Sequence, residues 1–480
     1  MSLTIRSDAF FERLRRKEFA RLNKTGQVYL DYTGGNLYPL SLVKKHQRFL
    51  QKAIYGNPHS TNPASKVSER MIDEARAKVL QFFNASDYYC VFTANASAAL
   101  HIVAECYPFS PDSHLLLTAD NHNSVNGLRN YCRLKGGSHT YSPMDEKDLT
   151  IGEDALCQLL RGHKEKKNKL FAFPAQSNVS GVRHSLHWVK AARLEGWDVL
   201  LDAAAFVPTS ALDLSVVQPD FVPLSFYKIF GYPTGIGCLL IKKSAFSKLK
   251  KPSFAGGTIT ISSAGYDAYF LKPDHERFED GTVNYLGIPA IMDGLDFIST
   301  VNIEFINARM KQLSAYFLQG LGRLTHDNGL PLIRLYGPAH TEKRGATFLL
   351  NFVDAKGRMY PFQHIEACAN EAMISLRSGC FCNPGIDEIN HGISADDLKN
   401  FFLNRKHGDY YEMIEHLGRW RGALRVSLGY PTVKADIDKF AAFARRFLNK
   451  DQPARCTLRL SEGSADNIPR ITDSSSLNSK

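Results

Sequence analysis

No stretch of this chain approaches the roughly 20 consecutive apolar residues that a membrane-crossing helix needs, so no membrane span is expected. The opening segment MSLTIRSDAFFERLRRKEFARLNK is basic but has no apolar core and no small-residue cleavage site, so it does not read as a secretory signal. Asp8, Glu12 and Glu18 sit among its arginines and argue against a transit peptide. A first helix of the folded protein is expected instead. Cysteine is sparse: nine residues in 480, at 90, 106, 132, 157, 238, 368, 380, 382 and 456. That spacing describes no disulfide framework and fits a reduced, cytoplasmic setting. Acidic residues are outnumbered, 48 against 59 Lys and Arg, for a net charge of +11. The cations are dispersed, with short clusters only at 13–17 and 161–169, and no RNA-binding signature, zinc knuckle or base-reading helix accompanies them. No nucleic-acid partner is expected. The charge reads as a solvated surface that attracts anionic ligands. Internal repeats are lacking too.

What is present is an alternation. From about 88 to 245, the apolar runs YYCVFTAN, HLLLTAD, LFAFPAQ, WDVLLDAAAF, DFVPLSF and GIGCLLIKK are separated by helical stretches such as ASAALHIVAECY and SLHWVKAARLEG. Strands alternating with helices imply a mostly parallel sheet covered on both faces, with ligands at the strand C-termini. After about 290 the pattern changes to a long helix through 288–323, strands ATFLLNFV, AMISLRSG and ALRVSLGY, a helix near 362–371, and a closing helix ADIDKFAAFARRFLNK. The expected organisation is an α/β protein with an N-terminal helix or arm at 1–30, a large domain at 31–290, and a smaller α+β domain at 291–450. A polar, Ser-rich, disordered tail is expected at 451–480.

Chemistry-bearing residues fall at the ends of the apolar runs. In SFYKIFGYPTGIG, Lys228 lies just past DFVPLSF. A lysine there must be neutral or paired, because desolvating an ammonium is costly, and imine formation uses a neutral amine covalently. Asp202 ends LLDAAAF. A carboxylate beside such an amine is what pyridoxal phosphate (PLP) requires, because it keeps the pyridine nitrogen protonated and the ring able to accept electrons. TANASAAL runs from a strand end into a helix, offering backbone N–H groups around Ala96 and the Ser97 hydroxyl to a phosphate. His122 stands where an imidazole stacks on a ring, and either Gln176 or Asn178 of PAQSNVSG reaches the ring hydroxyl. No metal site is expected: Cys380 and Cys382, with His391 nearby, are too few ligands.

The ordered series TANASAAL, DNHNSV, PAQSNVSG, LLDAAAF, SFYKIFG, GGT (256–258), FEDGT (278–282) and LRSGCFCNPG (376–385) resembles the class V aminotransferase-fold PLP enzymes of the cysteine-desulfurase type. Within them it most resembles the N-terminal domain of the molybdenum cofactor sulfurases, over roughly 25–448. The resemblance implies PLP-dependent transferase fold type I, with a mostly parallel seven-stranded sheet. It makes Lys228 the covalent anchor and proton shuttle, Asp202 the partner of the pyridine nitrogen, His122 the stacking ring and Asn178 the contact to the ring hydroxyl. Ser97 and Ser225 become phosphate ligands. Thr282 would reach the phosphate of a neighbouring subunit, which implies a homodimer. Arg425 would clamp the substrate carboxylate, with Arg377 and Asn36 in the same pocket. Ala205 and Tyr227 depart from the wider desulfurase pattern, where glutamine and histidine are common, and follow the molybdenum cofactor sulfurase branch.

The expected activity moves sulfur from L-cysteine. Lys228 removes the α-proton, a cysteine thiolate attacks the substrate sulfur, and alanine leaves behind an enzyme persulfide. A nucleophilic thiol needs access and a favoured thiolate; Arg377 would supply the second. Cys382, five residues after Arg377 as in the enzymes it resembles, is the expected carrier, with Cys380 as alternate. The acceptor is a separate protein or molybdenum cofactor. A lyase, epimerase or aminotransferase without persulfide chemistry, and a non-catalytic scaffold, are the competing readings.

Overall fold

The computed structural model describes residues 8–452 except 404, 419 and 420. The expected tail at 451–480 therefore lies almost wholly outside the described residues. Among the described residues no helix is long and apolar enough to cross a membrane.

Seven strands form the main sheet: β1 (Tyr88–Thr93), β2 (Ser113–Thr118), β3 (Ser138–Ser142), β4 (Asn168–Pro174), β5 (Asp198–Asp202), β6 (Phe221–Ser225) and β7 (Gly237–Lys242). Their order is β1-β7-β6-β5-β4-β2-β3. β7 runs antiparallel to both neighbours and the other pairings are parallel. Successive side chains face opposite ways. Leu116, Phe171 and Val199 enter one core, while Leu115, Leu170 and Leu200 enter the other. Both faces of the inner strands are buried, so those strands read as continuous apolar runs, whereas the edge strand β3, SHTYS, is polar and partly exposed.

A second sheet is wholly antiparallel, in the order β8 (Ile333–Tyr336), β9 (Thr347–Phe352), β11 (Ala423–Ser427), β10 (Arg377–Gly379). The single long helix expected through 288–323 is in fact two, Ala290–Val301 and Ile303–Gly322. Asn302 breaks it: at φ +74° its carboxamide accepts from the N–H groups of Glu304 (2.8 Å) and Phe305 (3.3 Å). Asparagine tolerates that backbone and caps the new helix start.

The N-terminal segment is bound into the far end of the chain. Val28–Tyr29 pairs with Ile374–Ser375, and Asp31 bridges to Ser427 on β11. Arg15 forms a buried ion pair with Asp436 on the closing helix Lys434–Arg445.

Arg344 fastens the two sheets where the site forms. Its buried guanidinium donates to the carbonyls of Ser180 (3.0 Å), Pro338 (2.8 Å), Thr347 (3.1 Å) and Tyr336. Burial pulls its pKa down to about 9. Arg344→Met removes this donor from all four carbonyls. The expected loss is about 3 kcal/mol of unfolding free energy, read by chemical denaturation; a loss below about 1 kcal/mol contradicts the fastening role.

Candidate active site

The C-terminal ends of the parallel strands open into a cavity of about 190 Å³ lined by Ala96, Ser97, His122, Gln176, Asn178, Asp202, Ala205, Ser225, Tyr227 and Lys228, among others. Each polar group arrives just past a strand because the apolar run stops there. Lys228 rides the short helix Phe226–Phe230 directly after β6. Burial pushes its amine below the usual lysine range; Asp202 opposes the shift, Arg425 and Arg377 reinforce it, and Cys382 opposes it. Asp202 closes β5, and its Oδ1 accepts from the Ala204 N–H (3.0 Å). Burial likewise depresses the His122 imidazole, against the pull of Asp202. His122 Nδ1 accepts from the Ser124 N–H (3.1 Å), which fixes the ring beside the pocket.

The helix Ala96–Cys106 starts in the same cavity, capped by Asn95, whose side chain accepts from the Ala98 N–H (3.0 Å). The Ala96 N–H donates to Ser225 Oγ (2.8 Å), and the Ser97 and Ser124 hydroxyls are 2.7 Å apart. A Cβ on Gly237 would come within 2.7 Å of Asn95 Cα, so β7 needs glycine for this turn to sit against the sheet.

Gln176 and Asn178 separate in role. Gln176 is buried, donates to the Ala205 carbonyl (3.0 Å) and accepts from Arg183 (3.1 Å), which ties the loop after β4 to the loop after β5. Asn178 is half-buried and donates to the Phe381 carbonyl (2.9 Å), leaving a second amide N–H. Asn36 is tied to its own surroundings: its amide donates to the Ile229 carbonyl (2.9 Å) and its oxygen accepts from the Leu37 N–H (2.9 Å). It steadies the helix that carries Lys228. Thr282 is exposed, accepts from Asn57 (3.2 Å) and lies outside the Lys228 cavity of its own chain.

The cysteine loop closes over the strand ends. Asn123 N–H donates to the Cys382 carbonyl (2.6 Å), next to His122. Asn383 is buried and donates to Asp120 (2.7 Å) and Asn178 (3.2 Å). Asp120 also accepts from Ser177 (2.8 Å) and pairs with His184 (3.0 Å). Phe381 and Cys382 both adopt positive φ, +56° and +55°, a conformation that costs non-glycine residues of order 1 kcal/mol each. The pinned loop holds them there and leaves the Cys382 thiol exposed. Cys380 is half-buried. Burial, with the Asp387 carboxylate behind it, pushes its thiol above the usual range despite a hydrogen bond from Cys382.

Arg425 and Arg377 share one carboxylate, Asp31. Arg425 Nη2 donates to Oδ1 (2.7 Å), and Arg377 Nε and Nη2 donate to Oδ2 (3.0 and 2.7 Å). Asp31, Asp120 and Asn383 were absent from the sequence expectations. Asp120 and Asn383 stand inside motifs already singled out, DNHNSV and LRSGCFCNPG, and an aspartate before Gly34-Gly35 was the one signal for Asp31.

The donor set asks for a particular ligand. A helix start with two hydroxyls takes an anion, a carboxylate takes a protonated ring nitrogen, an imidazole takes a ring face, and a lysine of depressed pKa takes an aldehyde carbon. PLP carries all four features, so these residues fit it.

Residues 28–440 match the family described as aminotransferase class-V. The chain is 37% identical over 454 residues to molybdenum cofactor sulfurase of Homo sapiens, covering 90% of this chain and 50% of that protein. It is 36% identical over 483 residues to molybdenum cofactor sulfurase of Solanum lycopersicum, covering 93% and 58%. The chain thus spans about half the length of the curated relatives it matches. Among solved structures, the apo cysteine desulfurase of Thermococcus onnurineus NA1 shares the fold, with a TM-score of 0.75 at 22% identity, covering 91% of this chain and 98% of that one. By the match over most of its length, and by the strand-end constellation that accompanies it, the chain belongs to the aminotransferase class-V family.

Proposed function

We propose that this chain is a PLP-dependent sulfurtransferase of the cysteine-desulfurase type, which takes sulfur from L-cysteine onto Cys382, releases alanine and passes the sulfur to an acceptor protein or to molybdenum cofactor. The observation that carries this reading is an exposed thiol on a strained loop, pinned to the same strand ends that bear Lys228 and His122. A lyase or aminotransferase has no use for such a loop.

Lys228 would hold the cofactor, Asp202 its ring nitrogen, His122 its ring face, Asn178 its ring hydroxyl, and Ser97, Ser225 and the helix start at Ala96 its phosphate. When bound, PLP supplies an electron sink that makes the α-proton of an attached amino acid removable. Lys228 is suited to take that proton at Nζ, because burial and the two arginines favour its neutral amine. Arg425 is buried, and its Nε has no partner among the described residues, so its fork keeps a donor for the substrate carboxylate. Cys382 then forms a bond to the substrate sulfur as the carbon–sulfur bond breaks. The carbon fragment leaves as alanine after protonation, and the outer sulfur stays on Cys382 as a persulfide. Cys380, with its raised thiol pKa and partial burial, is the poorer nucleophile.

The active unit in this reading is a homodimer. Thr282 is exposed, and the neighbouring hairpin Ile259–Leu271 exposes Ile261 and Phe270. A second copy would cover them and bring Thr282 to the partner phosphate site. Sedimentation equilibrium is expected to give the mass of two chains; a monomer at micromolar concentration overturns this part.

Cys382→Ala is expected to abolish sulfide and alanine formation from L-cysteine while the yellow cofactor absorbance persists. Cys380→Ala is expected to keep activity within about threefold, since it removes no group from the reacting line. Coupled assays of sulfide and alanine check both. Full activity in Cys382→Ala removes the desulfurase reading and leaves the lyase or aminotransferase.

A further inference from the structure

Two arginines stand together close enough to act on Lys228, and the residue between them comes from the other end of the chain. Asp31 is buried at the end of the N-terminal segment, where it bridges to Ser427 on β11. Its Oδ1 accepts from Arg425 Nη2 at 2.7 Å, and its Oδ2 accepts from Arg377 Nε at 3.0 Å and Nη2 at 2.7 Å. Arg425 and Arg377 are directly opposed on neighbouring strands β11 and β10. Like charges in that register repel. The register itself puts both side chains on one face, and the carboxylate between them offsets the repulsion and sets where the two forks point.

The surrounding backbone is built for the carboxylate. The N–H groups of Gly34 and Gly35 fold back onto the Asp31 carbonyl (3.0 and 3.2 Å). A Cβ at Gly34 would meet Asp31 Oδ2 at 2.5 Å and Arg377 Nη2 at 2.6 Å. The turn wraps so closely around the clasp that only glycine fits without moving it. Arg425 also donates to the Asn178 carbonyl (2.9 Å), so the clasp reaches the loop that holds Phe381 and the cysteine segment.

We propose that Asp31 is a positioning residue that orients Arg425 and Arg377 to receive the α-carboxylate of the amino-acid substrate. This rests on the proposed PLP chemistry. Two guanidinium charges less one carboxylate leave a single positive charge, matched to one substrate carboxylate. Asp31 leaves Arg425 Nε and the half-exposed outer part of Arg377 to the ligand. Asp31 touches neither substrate nor cofactor and acts through the two forks.

The test compares two amines that differ only in the carboxylate, L-alanine and ethylamine, by their half-saturation of the absorbance change of PLP-loaded protein. Neither requires sulfur transfer. Asp31→Asn is expected to raise the half-saturation for L-alanine at least about tenfold and that for ethylamine less than about twofold, the pattern of a lost binding interaction. Gly34→Ala keeps every charge and displaces only flexible side-chain ends, so it serves if Asp31→Asn fails to fold. It is expected to weaken L-alanine by about threefold or more and to spare ethylamine. Parallel loss for both amines, or no loss for either, overturns the positioning role. A wild-type protein that takes up PLP but binds both amines equally overturns the arginine assignment and this inference with it. A wild-type protein that takes up no PLP overturns the underlying function instead.

Discussion

One constraint governs this molecule: strands of a parallel sheet all end at the same edge. Side chains far apart in the sequence, such as His122, Asp202 and Lys228, meet because β2, β5 and β6 stop together. The elements packed over that edge keep bulk water from Lys228, so the groups there feel their neighbours strongly. The depressed amine of Lys228 follows from that desolvation first and from the nearby arginines second. Removing the sheet edge would leave an ordinary lysine and an ordinary aspartate.

The second sheet supplies what the first lacks. β10 and β11 bring Arg377 and Arg425, and the segment after β10 brings the two cysteines. Asn383 and Asp120 bind that segment to the large sheet, while Arg344 and the Asp31 clasp tie the two sheets from other sides. Cys382 is therefore both strained and exposed, and the geometry favours it on access over Cys380, whose burial raises its thiol pKa.

How much of this was legible in the sequence depends on the range of each interaction. Six of the seven main strands were legible because strands buried on both faces are unbroken apolar runs, and the residues at their ends inherit a place from them; the edge strand β3, SHTYS, is polar and half exposed and was not. β8 was not, because IRLY is short and carries an exposed Arg334. The break at Asn302 was hidden by apolar periodicity that continues on both sides of it. Asn36 was legible as a site neighbour but not in its orientation, which depends on the carbonyl of Ile229. Asp31 was missed because its partners lie more than 340 residues away and only folding reveals them. Arg425 and Arg377 were found as positions; their shared carboxylate was not.

The central claim is that Lys228, a strand-end amine with a lowered pKa beside Asp202, holds PLP covalently. Borohydride reduction of the PLP-loaded protein followed by peptide mapping tests it most directly. The account predicts a fixed pyridoxyl group on Lys228 alone. A label spread over surface lysines, or none at all, would contradict it.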